Sequence, residues 1–423
     1  MIFLTKWKET EIGRIPKEWD IKELYEIAKF VEDKIEIGNI SLQNYVSTEN
    51  MLPNKEGITT ITSKPLYGKA TTFREGDILF SNIRTYFKKI WLARFIGGCS
   101  NDVLVIRANE KIYGIYLYYY LSQNIFFNYT VLSSKGTKMP RGDKEAIMHY
   151  PISVPPLTEQ KAIAKILSDL DSKIELNNQM DATLEAMAQA IFKHWFIDFE
   201  FPDENGKPYK SSGGKMVDSE LGKIPEGWAV KNIQDILVFE KGTEPGSKYY
   251  FKENSRDSVR FIRVGDLGNT EHNKVFIPLN LARNKFCNEN DILLSLDATV
   301  GRVQIGIKGT FSSGIRKVYS KEKYLPLKGY IYSLLKSWYV QRTINMYSNG
   351  TTIQHAGVSL DYINIAIPNI NIFEKFSEIT DSIFNKMVAN NLEINNLENI
   401  RDLLLPKLMS GQIRVPVEVI KNA

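Results

Sequence analysis

The feature that most constrains this chain is that it repeats itself at about half its length. Residues 11–19 read Glu-Ile-Gly-Arg-Ile-Pro-Lys-Glu-Trp, and residues 220–228 read Glu-Leu-Gly-Lys-Ile-Pro-Glu-Gly-Trp, an offset of 209. Asp77-Ile78-Leu79 returns as Asp291-Ile292-Leu293, and Gly136-Thr137 as Gly350-Thr351, both at an offset of 214. Ile152-Ser-Val-Pro155 returns as Ile365-Ala-Ile-Pro368, at 213. Four matches in one order at nearly one spacing mark two copies of one structural unit. The 423 residues are enough for two to four domains at about 100–200 residues each.

Each copy has two parts. The first is rich in Gly, Asn, Ser, β-branched and aromatic residues, and short apolar runs such as Asp77-Ile-Leu-Phe-Ser81 predict buried strands. The Tyr-rich stretch 112–129 and its counterpart 330–347 read as amphipathic helices, with the Tyr stripe at 116–120 as core, so the globular part is expected to be α+β. The second part is one long helix. After Val154-Pro-Pro, Thr158 reads as an N-cap, and a four-three spacing follows through Ile163, Leu167, Leu170, Ile174, Asn177, Asp181, Leu184, Ala188, Ile191 and Trp195. Moved on by 213, the series is Phe376, Thr380, Ile383, Met387, Asn390, Ile394, Leu397, Arg401, Leu404 and Leu408. Both carry Asn at the same place, Asn177 and Asn390, and a polar residue in a heptad seam sets register at a cost in stability. The two helices could therefore pair with each other, Asp181 meeting Arg401, or each could pack on its own domain. Ile166, Met187, Phe192 and Phe196 would remain as an apolar stripe for a partner. Phe201–Gly214, with its Pro, Gly, Asn and Ser, reads as an exposed connection.

Several chemistries find no foothold. Two cysteines, Cys99 and Cys287, exclude a disulfide scaffold or a four-cysteine zinc site, and four scattered histidines offer no metal-ligand spacing. GxGxxG, GxxxxGK[ST], GxSxG and the Asn/Asp-Pro-Pro-Tyr of amino-methyltransferases are missing. Asp169/Asp171 and Asp198/Glu200 read as solvated charges on or beside the long helix. Charge appears within six residues of Met1, and no run of about 18 apolar residues occurs, so a reduced, intracellular protein without a membrane span is expected.

Nucleic acid fits better. The net charge of +5 permits a basic face without demonstrating one. Residues 81–89, Ser-Asn-Ile-Arg-Thr-Tyr-Phe-Lys-Lys, alternate amide, basic and aromatic groups, and Asn82, Arg84, Tyr86 and Lys88 become candidate DNA contacts. Residues 133–141, Ser-Ser-Lys-Gly-Thr-Lys-Met-Pro-Arg, form a small-residue loop in which Lys135, Thr137, Lys138 and Arg141 could meet phosphate. The second copy keeps Gly-Thr and changes the rest, which makes Arg302, Asn349, Thr351, Thr352 and Gln354 its candidates. An ordinary basic loop and a helix-ending turn stand as the plainer readings.

Taken together the marks resemble the specificity subunit of type I restriction–modification systems over nearly the whole chain. They are the two Glu-x-Gly-x-Ile-Pro-x-x-Trp openings, Gly76-Asp-Ile-Leu-Phe-Ser81 with Asn290-Asp-Ile-Leu-Leu-Ser295, and Pro155-Pro-Leu-x-Glu-Gln160. Phe192-Lys-x-Trp-Phe-x-Asp-Phe199 and Leu403-Leu-Leu-Pro-Lys-Leu-Met-Ser-Gly-Gln-Ile-Arg-Val415 complete the set; Pro368-Asn-Ile-Asn-Ile-Phe-Glu374 departs from it. The resemblance implies two target-recognition domains, 1–155 and 219–368, two long antiparallel coiled-coil helices, 156–200 and 369–412, a linker at 201–218 and a tail at 413–423. It implies a cytoplasmic subunit without catalysis or cofactor of its own. Expected partners are double-stranded DNA, two adenine-methylation subunits and restriction/translocase subunits, with S-adenosylmethionine, ATP and Mg on those partners. A methyltransferase or nuclease with an unrecognised active site, or a coiled-coil adaptor that ignores DNA, are the alternatives.

Overall fold

A computed structural model of the chain describes residues 6–136, 139–268, 274–321, 328–348, 350 and 354–415, with Gln354 described in its backbone alone. The chain forms two compact units, residues 1–172 with 397–423, and residues 173–396.

In the first unit the opening motif becomes a hairpin, Trp7–Thr10 against Gly13–Pro16. Gly13 turns it with φ +99, and Gly222 does the same at φ +89 in the second unit. That left-handed conformation carries little penalty for glycine alone, which accounts for the repeated Glu-x-Gly. Ile15 and Trp19 then enter the core, as do Ile224 and Trp228. Two four-stranded sheets follow. One runs in the order Lys34–Glu36, Lys69–Phe73, Gly97–Cys99, Tyr45–Val46, and the other Ala28–Phe30, Val103–Ala108, Ile78–Ser81, Ile90–Leu92. Asp20–Glu23 pairs with Pro151–Val154.

The second unit rebuilds the latter four-stranded sheet strand for strand and the former in part. Phe286–Cys287, Gly309–Phe311 and Ser258–Ile262 match Lys69–Phe73, Gly97–Cys99 and Tyr45–Val46 in order and direction, but the fourth strand adds at the opposite edge. Val275–Pro278, Ser258–Ile262, Gly309–Phe311 and Phe286–Cys287 make one sheet, and Leu237–Lys241, Ile315–Ser320, Ile292–Ser295 and Val303–Gln304 the other. The fold is therefore mixed helix and strand, given twice. The Asp-Ile-Leu repeats are buried strands whose aspartate caps the preceding turn. Asp77 accepts from Arg74 N at 2.8 Å and Asp291 from Asn288 N at 2.8 Å. Asp77, almost wholly buried, is also bound twice by Arg107, at 2.8 and 2.7 Å.

The Tyr-rich stretches are corrected: each is two short helices. Gly114–Leu121 precedes Asn124–Leu132, and Lys328–Lys336 precedes Trp338–Met346. Serine makes the break. Ser122 Oγ donates back to Tyr118 O at 2.7 Å, and Ser337 Oγ caps the next helix by accepting from Val340 N at 3.4 Å. Tyr116 and Tyr330 are core residues, as are Tyr119 and Tyr120.

The long helices are Leu157–Phe192, continued by a π-turn at Lys193–Ile197, and Ile370–Met409. Thr158 lies inside the first turn and is no cap, because Pro156 O already receives Glu159 N and Gln160 N. None of the twenty seam positions is exposed. Phe192 and Phe196, expected on an outer stripe, are buried in the core of the second unit with Tyr330, Phe373 and Phe376. Ile166 is half-buried, and Met187 is half exposed.

Each unit is completed by the end of a long helix. In the first unit Leu405, Leu408 and Met409 join the core of Trp19, Ile163 and Leu167. Gly411, at φ +72, brings the chain against Pro16, where a Cβ would lie 2.4 Å from Cγ. Arg414 then grips Glu159 at 2.7 and 2.9 Å and Glu18 at 2.6 Å, while Trp19 Nε1 donates to Glu159 at 3.0 Å. In the second unit Phe196, Phe199 and Phe201 surround Trp228, and Tyr209 stacks on Phe201 with ring centroids 4.7 Å apart. No described helix is long and apolar enough to cross a membrane.

Candidate nucleic-acid interface

In the first unit the strand Ile78–Ser81 runs into a loop that folds against residues 140–142. Asn82 N donates to Asp102 O at 2.8 Å, Arg84 N to Pro140 O at 2.9 Å, and Gly142 N to Asn82 O at 3.1 Å. Ile83 forms a β-bridge with Arg141, which bridges Lys135 in turn. Two basic segments far apart in sequence thus become one surface. The turn Thr85–Phe87 is flanked by Arg84 (φ 49, ψ 57) and Lys88 (φ 54, ψ 46), both left-handed. A residue with a Cβ adopts that conformation at an energetic cost, and such positions concentrate at functional sites.

The candidate residues fare differently. Arg84 and Tyr86 are exposed, with the Tyr86 and Phe87 rings 4.7 Å apart. Lys88 Nζ donates to Asn124 Oδ1 at 2.9 Å. Lys135 is ion-paired to Asp143, and Arg141 to Asp102 at 2.9 Å, so part of the expected positive charge is neutralised within the unit. Asn82 is buried, and its Oδ1 has no hydrogen-bond partner among the described residues. Thr137 and Lys138 lie outside the described residues. A cavity of about 290 Å³ opens beside the loop, lined by Thr48, Glu49, Ser81, Ile83, Arg84, Phe87, Lys89 and Met139. Lys89 donates to Thr48 O at 2.6 Å and lies over the Phe87 ring; desolvation pulls its pKa below the usual lysine value.

The second unit uses the same backbone bonds. Leu296 N donates to Gly314 O at 2.9 Å and Ala356 N to Leu296 O at 2.7 Å, as Asn82 N and Gly142 N do in the first unit. Asp297 pairs with His355 across the ladder, as Ile83 does with Arg141. The side chains differ. His355 Nδ1 and Asp297 Oδ1 are 2.7 Å apart, and Ala298 (φ 61) stands where the first unit has Arg84. Arg302 is a loop anchor: its guanidinium donates to Leu267 O at 2.7 Å. Asn349, Thr351 and Thr352 lie outside the described residues, and Gln354 is placed only as the strand partner of Ala298. The sequence reading missed Glu49 and Asp297. Neither sits in a basic run, and only the fold sets them beside one.

The register residues do not meet each other. In the second unit Asn177 Nδ2 donates to Glu393 at 2.9 Å, and Asn390 Nδ2 to Asp181 at 2.6 Å. These contacts run the helices antiparallel there. Asn391 adds a second donor to Asp181 at 2.9 Å. Asp181 has its pKa pushed up to about 6, desolvation outweighing the Asn390 hydrogen bond and Lys386. The partner expected for it, Arg401, binds Asp171 at 2.8 Å in the first unit.

Among the described residues no group of three or more His, Cys, Asp or Glu could hold a metal ion. Both thiols are buried, and burial pushes each up to about 12, far from a reactive thiolate.

The family model for the type I restriction modification DNA specificity domain matches residues 16–186 and again 225–399. Over 433 residues the chain is 29% identical to the type I restriction enzyme MjaIX specificity subunit of Methanocaldococcus jannaschii, covering 97% of each. It is 26% identical over 482 residues to the type I restriction enzyme HindI specificity subunit of Haemophilus influenzae, covering 97% of this chain and 100% of that one. The crystal structure of a type I restriction-modification system S subunit from M. genitalium has the same fold, at a TM-score of 0.54 and 16% identity, covering 96% of this chain and 98% of that one. The duplication read from Glu11 and Glu220 is a duplication of that domain, and the chain belongs to the type I restriction–modification specificity-subunit family.

Proposed function

We propose that this chain reads a bipartite, asymmetric DNA site and holds two adenine-methylation subunits on it, with restriction/translocase subunits joining the complex. The family is the non-catalytic, DNA-recognition component of type I systems. In this reading residues 1–155 and 219–368 are the recognition domains, 201–218 the linker and 413–423 the tail. Residues 156–200 and 369–412 form an antiparallel coiled coil that spaces the half-sites. S-adenosylmethionine, ATP and Mg belong to the partner subunits, and the complex works in the cytoplasm.

The observation that carries this is the loop frame held by equivalent backbone bonds in both units with different side chains on it. A duplicated scaffold that kept its main chain and changed its loop groups suits two readers of two different sequences. The reading loops comprise residues 82–89 with 133–141, and 296–302 with 348–355. Asn82, Arg84, Tyr86, Lys88, Lys135, Thr137, Lys138 and Arg141 serve one half-site. Arg302, Asn349, Thr351, Thr352 and Gln354 serve the other, together with Asp297 and His355, and Asn177 and Asn390 set the helix register. The test is to map modified adenines in cells with and without the chain. Loss of one motif, two short halves separated by unspecified base pairs, is expected. A contiguous motif, or an unchanged map, would overturn the proposal.

A further inference from the structure

We infer that Glu49 and Arg84 share one base pair of the half-site taken by the first unit, cytosine at Glu49 and guanine at Arg84. This rests on the DNA-reading function proposed above and adds a residue and a base identity to it.

Both side chains line the same cavity, and both are exposed. Among the described residues neither the Glu49 carboxylate nor the Arg84 guanidinium has a side-chain hydrogen bond or ion pair. Lys89 on the same cavity attracts the Glu49 carboxylate without a hydrogen bond or salt bridge to it. Beside DNA that carboxylate is repelled by the phosphates, so it has little to gain from the backbone. The groups it can accept from are the exocyclic amines of cytosine and adenine in the major groove. Arginine makes its best contact with guanine, two bonds to O6 and N7. On a C·G pair the two side chains make three bonds. On an A·T pair Glu49 would find the adenine amine, but Arg84 would be left with the single thymine O4. The count favours C·G.

The backbone supports a presented rather than incidental Arg84. Its left-handed conformation is held by the bond from its own N to Pro140 O. Glu49 sits in a turn closed by Asn50 Oδ1, which accepts from Ser47 N at 2.7 Å. The second unit repeats that turn with Asp266, which accepts from Arg263 N at 2.8 Å after the equivalent parallel strand pair. There the place of Glu49 is taken by Gly265, and that of Arg84 by Ala298. Both members of the pair are present in one unit and both are missing from the other, as two groups reading one base pair would be.

The experiment supplies wild-type, E49Q and R84A chains to cells lacking their own copy and maps modified adenines. One half of the wild-type motif should contain a C·G pair. E49Q and R84A should each relax that same position, lowering its discrimination by about tenfold or more, and leave the other half intact. The intact half reports that the variant is folded and assembled. Relaxation at two different positions, an unchanged motif, a wild-type half-site without C·G, or loss of the whole motif in either variant would overturn the assignment. A wild-type chain that directs no modification would remove the DNA-reading function itself, and this inference with it.

Discussion

The two units teach most when laid side by side. One sheet pairs its strands in the same order in both units and the other shares three of its four strands, their loops hang on matching backbone hydrogen bonds, and each opens on a hairpin with a glycine at positive φ. What differs is the side chain at each presented position: Arg141 against His355, Ile83 against Asp297, Arg84 against Ala298. The main chain satisfies itself, so the side chains above it can change without cost to the fold. Physically, that separates the part that must be kept from the part that can be varied.

The largest expected effect breaks the kept part. Trp19 is wholly buried and Trp228 nearly so, and each anchors its own unit. Replacing Trp19 with Ala should cost about 3–5 kcal/mol in the first unit. Trp228→Ala should cost the second unit somewhat less, since the indole is not fully buried. Calorimetry of the full chain would show a different portion of the transition moving in each variant. One shared transition shifting equally in both would mean that the units do not unfold as separate bodies.

Next come the varied positions. Arg141→Ala and His355→Ala should each cost about 1–3 kcal/mol of discrimination, in opposite halves of the recognised motif. Methylation mapping of the two variants checks this, and a change by both in the same half would refute one reader per unit.

The helix pair gives a smaller, pH-dependent effect. Asp181 has a folded pKa of about 6 against an ordinary 3.8. A raised carboxyl pKa means that the fold prefers the protonated acid. Its contribution is complete below about pH 4 and is lost as pH rises through about 6. Allowing for its partial exposure, about 1–2 kcal/mol is at stake. Asp181→Asn should remove that slope from denaturation curves between pH 4 and 7, and a wild-type chain whose stability is flat over that range would contradict it.

The smallest effect is electrostatic. Lys135 is exposed and ion-paired to Asp143, so Lys135→Ala should leave the motif unchanged. If Lys135 touches one phosphate, the slope of log affinity against log salt should shallow by about 0.9. Binding titrations at several salt concentrations would show it.

Much of this was legible beforehand. The offset between Glu11 and Glu220 announced two copies, because glycine at a positive-φ turn and tryptophan in a core are demands on residue type that no neighbour can meet. The twenty seam positions of the long helices were readable for the same kind of reason: a helix buries one face at a period that the sequence must carry. The two short helices at 114–132 were less visible, since the first ends at Ser122, whose hydroxyl donates to Tyr118 O, and hydrophobic spacing does not encode that bond.

Tertiary structure alone decided who meets whom. Nothing near Asn177 names Glu393, and nothing near Asp181 names Asn390, for those contacts depend on how one helix lies along another. Glu49 was invisible because a carboxylate acquires meaning only from what stands across the cavity, and Arg84 reaches that place through a chain reversal 35 residues later in sequence. Local demands, turns and buried faces, are written in the order of residues. Pairings between distant side chains are fixed only when burial of the core closes the loops that bring them together.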